Sequence, residues 1–122
     1  MSKKILIIDD DDDHLAVTSN LLRHIGKFNV VASTDSASAM EIIRREKPDL
    51  ILLDIMMPKV DGLSICKQVK ESSDLNYIKV IVYSAKIFEV DRKNAMKVGA
   101  DAYISKVIES GKLIDTINKI LS

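Results

Sequence analysis

Tryptophan is absent from this chain, cysteine occurs once, proline twice and glycine four times in 122 residues. The lone Cys66 excludes an internal disulfide and any metal site built from cysteines. No His/Cys pair stands at ligand spacing, which removes zinc. The few Gly and Pro are scattered, so no linker, low-complexity tract or internal repeat is visible. An excess of either charge is also missing: 18 Lys+Arg stand against 18 Asp+Glu. Neutrality gives no general electrostatic reason to bind nucleic acid or an anionic membrane, and Lys3-Lys4 is too small a basic patch to change that. No run approaches the roughly 18 apolar residues of a membrane span. The apolar stretch behind the basic start, Ile5-Leu6-Ile7-Ile8, is too short for a signal peptide, so the expected compartment is the cytoplasm. What remains is 47% hydrophobic and 30% charged residues, the composition of an ordinary folded globule. The length predicts one domain over 1–122.

Short apolar runs alternate with longer amphipathic stretches. Ile5-Leu6-Ile7-Ile8 ends abruptly in five aspartates at 9–13. A helical pattern follows, with Leu15, Thr18, Leu21, Leu22 and Ile25 on one face and Gly26 as its stop. Val30-Val31-Ala32 reads as a second strand. The polar residues at 33–36 offer N-caps to a helix bearing Ala39, Met40 and Ile43. Pro48 closes that helix, and Leu50-Ile51-Leu52-Leu53 forms a third strand ending in Asp54. After a loop over 56–62, Leu63, Cys66 and Val69 mark a third helix. Val80-Ile81-Val82-Tyr83 is a fourth strand ending at Ser84, and a fourth helix is expected over about 88–98. Ala102-Tyr103-Ile104 runs to Ser105 and Lys106. The last helix carries Leu113, Ile114, Ile117, Ile120 and Leu121 as an apolar stripe.

These five β–α units predict an α/β fold with a parallel sheet covered on both faces. Continuous apolar strands, without in-out alternation, point the same way. Right-handed crossovers leave few topologies. Five strands predict the doubly wound order 2-1-3-4-5, with its switch point between the first and third strands.

Ligands of such sheets bind outside the strand carboxyl ends at the switch point. Strand 1 ends in Asp9 and Asp10, strand 3 in Asp54, strand 4 in Ser84 and strand 5 in Lys106. Three carboxylates converging on one patch repel, so at least one should have a raised pKa. A divalent cation with a preference for oxygen, Mg²⁺ or Mn²⁺, resolves the conflict. A metal, an ammonium and a hydroxyl around one carboxylate suit phosphoryl transfer with the carboxylate as covalent acceptor. The adjacent Asp9 and Asp10 suit the metal and the solitary Asp54 suits nucleophilic attack, though spacing alone leaves that choice open. Asp11, Asp12 and Asp13 read as a helix N-cap and first turn. His14 and His24 have no acidic or His partner at i+4 and read as surface or packing residues.

The segments ILIIDDDDD, DLILLDIMMPKVDG, VIVYSA, GADAY and ISK follow one another from Ile5 to Lys106. With them the chain resembles the receiver domain of two-component response regulators, over its whole length and most specifically over 49–62. The resemblance implies a flavodoxin-like fold. It implies that Asp54 accepts a phosphoryl group from a phosphohistidine of a histidine kinase or phosphotransfer protein. It further implies that Asp9, Asp10, Asp54 and the backbone carbonyl of Met56 hold Mg²⁺. Ser84 would be the switch hydroxyl, Tyr103 the aromatic coupled to it, and Lys106 the phosphate-binding lysine. Met56 and Lys86 would flank the water that hydrolyses the acyl phosphate, and an apolar Met56 predicts slow hydrolysis. The protein would be a signalling phosphoacceptor and not an enzyme with an external substrate. The family's lysine is usually followed by proline, often through a cis bond; here Val107 follows, leaving the bond either trans or strained.

Phosphorylation is expected to reshape the face made by the fourth helix, fifth strand and fifth helix. The partners implied are a kinase or phosphotransfer protein and a downstream protein or output domain. A phosphorylation-dependent dimer fits as well, and neither nucleic acid nor membrane contact is expected. The chain would be a stand-alone regulator or a receiver cut from a longer protein. A haloacid-dehalogenase-like phosphatase lacks room for a cap, five aspartates after strand 1 would repel a flavodoxin's phosphate, and His14 and Asn20 break a calcium loop. The alternative that keeps the fold is a pseudo-receiver, an interaction module never phosphorylated.

Overall fold

The computed structural model describes residues 2–85 and 88–122. In chain order it contains β1 (Lys4–Ile8), α1 (Asp12–His24), β2 (Asn29–Ser33), a 3-10 turn (Ser36–Ser38) running into α2 (Ala39–Glu46), and β3 (Leu50–Leu53). These are followed by α3 (Gly62–Glu71), β4 (Lys79–Ser84), α4 (Glu89–Lys97), β5 (Ala102–Ser105) and α5 (Ser110–Leu121). All strand pairs are parallel and the sheet order is β2-β1-β3-β4-β5, as the alternation of runs predicts.

Alternation along each strand divides the core in two. Leu6, Ile8, Ile51, Leu53, Val80 and Val82 pack with Ile42 and Ile43 of α2, Ile65, Cys66 and Val69 of α3 and Ala95 of α4. Ile5, Ile7, Leu50, Leu52, Ile81 and Ile104 pack with Leu15 and Leu22 of α1 and Leu113 and Ile117 of α5. Both faces are buried, which is why the strands are apolar without a break. Each fully buried Leu or Ile is worth about 1.5–3 kcal/mol of transfer free energy. The central strands thus form a stiff base for whatever stands at their ends.

The helix starts refine the expected capping. Asp11 caps α1 by accepting from the N–H groups of Asp13 and His14, and Asp12 and Asp13 sit in the first turn near the positive end of its dipole. Asp61 caps α3 through the Leu63 N–H. At the second helix the serines do not cap by side chain: Asp35 accepts from the Ser38 N–H and stabilises the 3-10 turn. Helix α2 ends on Lys47 in the left-handed conformation, φ +45°, one residue before Pro48.

Candidate functional site

The register of the sheet decides which polar residues meet. Ile8 pairs with Leu53, so the residues that follow them, Asp9 and Asp54, leave adjacent strands side by side. The Asp54 N–H donates to the Ile8 carbonyl at 2.9 Å and fastens the two ends together. Ser84 pairs with Ser105, which places Lys106 just past the end of β5. Asp9, Asp54 and Ser84 are buried, whereas Asp10 is exposed, the outcome expected for adjacent residues at a strand end.

Lys106 reaches back across the strand ends. Its Nζ lies 2.9 Å from Asp9 Oδ2 and 3.1 Å from Asp54 Oδ2. Asp9 Oδ1 accepts the Asp11 N–H at 3.0 Å, and Asp54 Oδ1 accepts the Met56 N–H at 2.9 Å. Carboxylate oxygens of Asp9, Asp10 and Asp54 all lie within 4.8 Å of one another. Hard oxygen donors without sulfur or nitrogen fit Mg²⁺ or Mn²⁺.

Burial disfavours every charge here, and the partners decide the balance. Asp9 is pushed up by burial, but the Lys106 ammonium and the Asp11 N–H outweigh this and hold its carboxyl below the ordinary value. At Asp54 burial prevails over the Met56 N–H and Lys106, and the Asp9 charge adds to it, so this carboxyl is raised. One of the three acids is raised as expected, but burial is the larger cause and the repulsion by Asp9 the smaller one. Burial lowers Lys106, yet its two carboxylate partners more than compensate and keep it charged beyond the usual range.

The Lys106–Val107 bond is trans, since no cis peptide occurs among the described residues. Without proline, the Val107 N–H is free to donate and does so to Ser105 Oγ at 3.2 Å. Lys106 still reaches both acids. Tyr103 packs partly against the core, and its phenol, raised chiefly by burial, is drawn down by a side-chain hydrogen bond with Ser84. The hydroxyl and the aromatic expected to move together are thus in contact. Met56 is exposed, with its N–H turned to Asp54. Lys86 lies outside the described residues.

Two residues at the site escaped the sequence reading. His14 is not merely a surface or packing residue: its Nδ1 lies 3.2 Å from Asp9 Oδ2. The i+4 spacing holds only within a helix, whereas Asp9 precedes α1 and is brought back to His14 by the cap turn. Gly62 permits a close approach, for a Cβ there would lie 2.6 Å from Ile55 Cα and 2.7 Å from the Asp54 carbonyl oxygen. A cleft of about 470 Å³ between α3 and α4 is lined by Asp61, Ser64, Lys67 and Asn94 among others and does not include the acids.

A doubly wound sheet with clustered acids at the switch point and a lysine from the last strand defines a receiver-type module. The chain belongs to the response regulator receiver domain family, which matches residues 5–118. It is 31% identical over 121 residues to the polar-differentiation response regulator DivK of Brucella anthropi, covering 99% of this chain and 98% of that protein. It is 32% identical to the alkaline phosphatase synthesis transcriptional regulatory protein PhoP of Bacillus subtilis, covering 99% of this chain but only 49% of the relative, about half its length. A CheY-like response regulator receiver domain protein from Methanospirillum hungatei superposes with a TM-score of 0.90 at 26% identity, covering 99% of this chain and 94% of that one. Receiver domains are signalling phosphoacceptors that act with histidine kinases and downstream targets and typically use Mg²⁺.

Proposed function

We propose that this chain accepts a phosphoryl group on Asp54 from a phosphohistidine of a histidine kinase or phosphotransfer protein. The observation that carries this reading is the meeting of Asp54 with Lys106 at 3.1 Å inside a group of three carboxylates within 4.8 Å. Asp9, Asp10, Asp54 and the Met56 carbonyl would hold Mg²⁺, which when bound neutralises charge on the phosphoryl oxygens. An oxygen of Asp54 attacks phosphorus; the P–O bond forms, the P–N bond breaks, and the imidazole leaves as the neutral base once protonated. Lys106, already between the two acids, meets the incoming negative charge. The Met56 N–H holds Asp54 Oδ1 and orients the carboxylate.

The acyl phosphate carries more charge and more acceptor oxygens than the carboxylate it replaces. Ser84 and Lys106 then gain a stronger partner, and the Ser84–Tyr103 contact couples the change to β5. The output face would include α4 and the segment after β5, where Phe88, Val90, Met96 and Val107 expose apolar surface. A downstream protein, an output domain or a second copy would dock there. Met56 cannot orient a water, so the acyl phosphate should decay slowly, and Met56→Asn should hasten its loss in a chelator-quenched decay assay.

The test is incubation with Mg²⁺ and acetyl phosphate followed by intact-mass measurement. One phosphoryl adduct is expected, absent with EDTA and absent in Asp54→Asn. No adduct on the native protein would instead favour a phosphorylation-independent interaction module.

A further inference from the structure

His14 stands beside the acidic rim with no part in the phosphoryl chemistry above. It lies in the first turn of α1, and its Nδ1 is 3.2 Å from Asp9 Oδ2. An ionised carboxylate can only accept, so Nδ1 carries the hydrogen and donates it. The same Oδ2 receives the Lys106 ammonium at 2.9 Å, while Oδ1 receives the Asp11 N–H at 3.0 Å. A carboxylate oxygen accepts about two hydrogen bonds. Oδ2 therefore meets two donors, whereas the donor at Oδ1 is the single Asp11 N–H, and the Asp54 carboxyl also lies within hydrogen-bond reach of Asp9. The imidazole itself is outside the metal-capable group, which comprises Asp9, Asp10 and Asp54 among the described residues.

The ring is held from behind. Its centroid is 5.3 Å from that of Tyr83, with the planes at 45°. Thr18 Oγ1 lies 3.4 Å from Nδ1, and Thr18 also hydrogen-bonds Tyr83. Tyr83 is buried near the end of β4. The imidazole thus sits between a buried aromatic ring and the acid it contacts.

We propose that His14 is a positioning residue for the metal site: by occupying Asp9 Oδ2 it fixes the rotation of the carboxylate and presents Oδ1 to a divalent cation. This inference rests on reading the rim as a metal site. Partners that hold a ligating side chain are commonly worth about 10–100-fold in metal affinity. Without His14 the carboxylate keeps Lys106 on Oδ2 and the Asp11 N–H on Oδ1 but loses its third anchor, so its rotation about the Cβ–Cγ bond is less restricted.

The experiment is a calorimetric titration of the full chain with Mn²⁺, paired with thermal melting in EDTA. His14→Phe keeps a ring against Tyr83 but donates nothing, His14→Leu is a second variant without a donor, and His14→Asn restores an N–H. Mn²⁺ affinity is expected to fall roughly 10-fold in the Phe and Leu variants and to recover in Asn, with melting in EDTA uncorrelated with affinity. Equal Mn²⁺ affinity in the native protein and a folded Phe or Leu variant would overturn the inference, as would an Asn variant no better than these. A native protein that binds no Mn²⁺ would overturn the metal reading itself, a result distinct from the other two.

Discussion

Lys106 lies between two buried carboxylates, at 2.9 Å from Asp9 and 3.1 Å from Asp54. Its side chain is only 11% exposed, so solvent screens these pairs weakly. Truncating one partner of a buried pair leaves uncompensated charge. Lys106→Met should therefore lower the stability of the metal-free protein by about 3 kcal/mol in urea unfolding at neutral pH. Asp54 behaves in the opposite sense. Its folded pKa is raised above 3.8, so its ionisation disfavours the fold, and stability from this group falls as pH rises from 3.8 through the folded value. Asp54→Asn in EDTA should thus melt no lower than the native protein at pH 7, with the advantage vanishing below pH 3.8, where both states hold the proton. Asp9, whose folded pKa is lowered, contributes stability above its unfolded value and loses it as pH falls. Cys66 is fully buried and its thiol is pushed up to about 11. Ellman's reagent should leave it unmodified until the protein unfolds.

At the scale of elements, the start of α3 is pressed against the chain that leaves β3. Gly62→Ala would set a Cβ against two backbone atoms, Ile55 Cα and the Asp54 carbonyl oxygen, neither of which can swing aside. A loss of about 1–3 kcal/mol is expected, together with weaker phosphoryl uptake because the strain falls on Asp54 itself. Lys47 ends α2 at φ +45°, where glycine is favoured. Lys47→Gly should stabilise the protein by about 0.5–1 kcal/mol in the same assay. Strand existence and order were legible because apolar runs such as Leu50-Ile51-Leu52-Leu53 admit no other reading between helical periods. Helix starts were less so. Asp35, not a serine, caps the turn before α2, since several polar residues at 33–36 compete for that place and only tertiary packing selects one. The approach of Gly62 to Asp54 was invisible, because nothing local in Val60-Asp61-Gly62 requires it.

At the scale of the molecule, the fold works as a register device. Parallel pairing brings the ends of β1, β3, β4 and β5 to one rim, so residues far apart in sequence meet with little loop structure to arrange them. The acids, Ser84 and Lys106 were therefore legible from strand ends alone. His14 was not, because its contact with Asp9 crosses from strand to helix through a cap and follows neither period. Tyr103 packs against one side of this core and hydrogen-bonds Ser84 at the rim, the contact through which the proposed switch would act. The most direct measurement is to phosphorylate the chain with acetyl phosphate and Mg²⁺, reduce the acyl phosphate with borohydride, and map the product by peptide mass spectrometry. Homoserine at position 54 alone is the expected result. Reduction at Asp9, Asp10 or elsewhere, or none at all in a protein that binds Mg²⁺, would contradict the assignment of Asp54 as the acceptor.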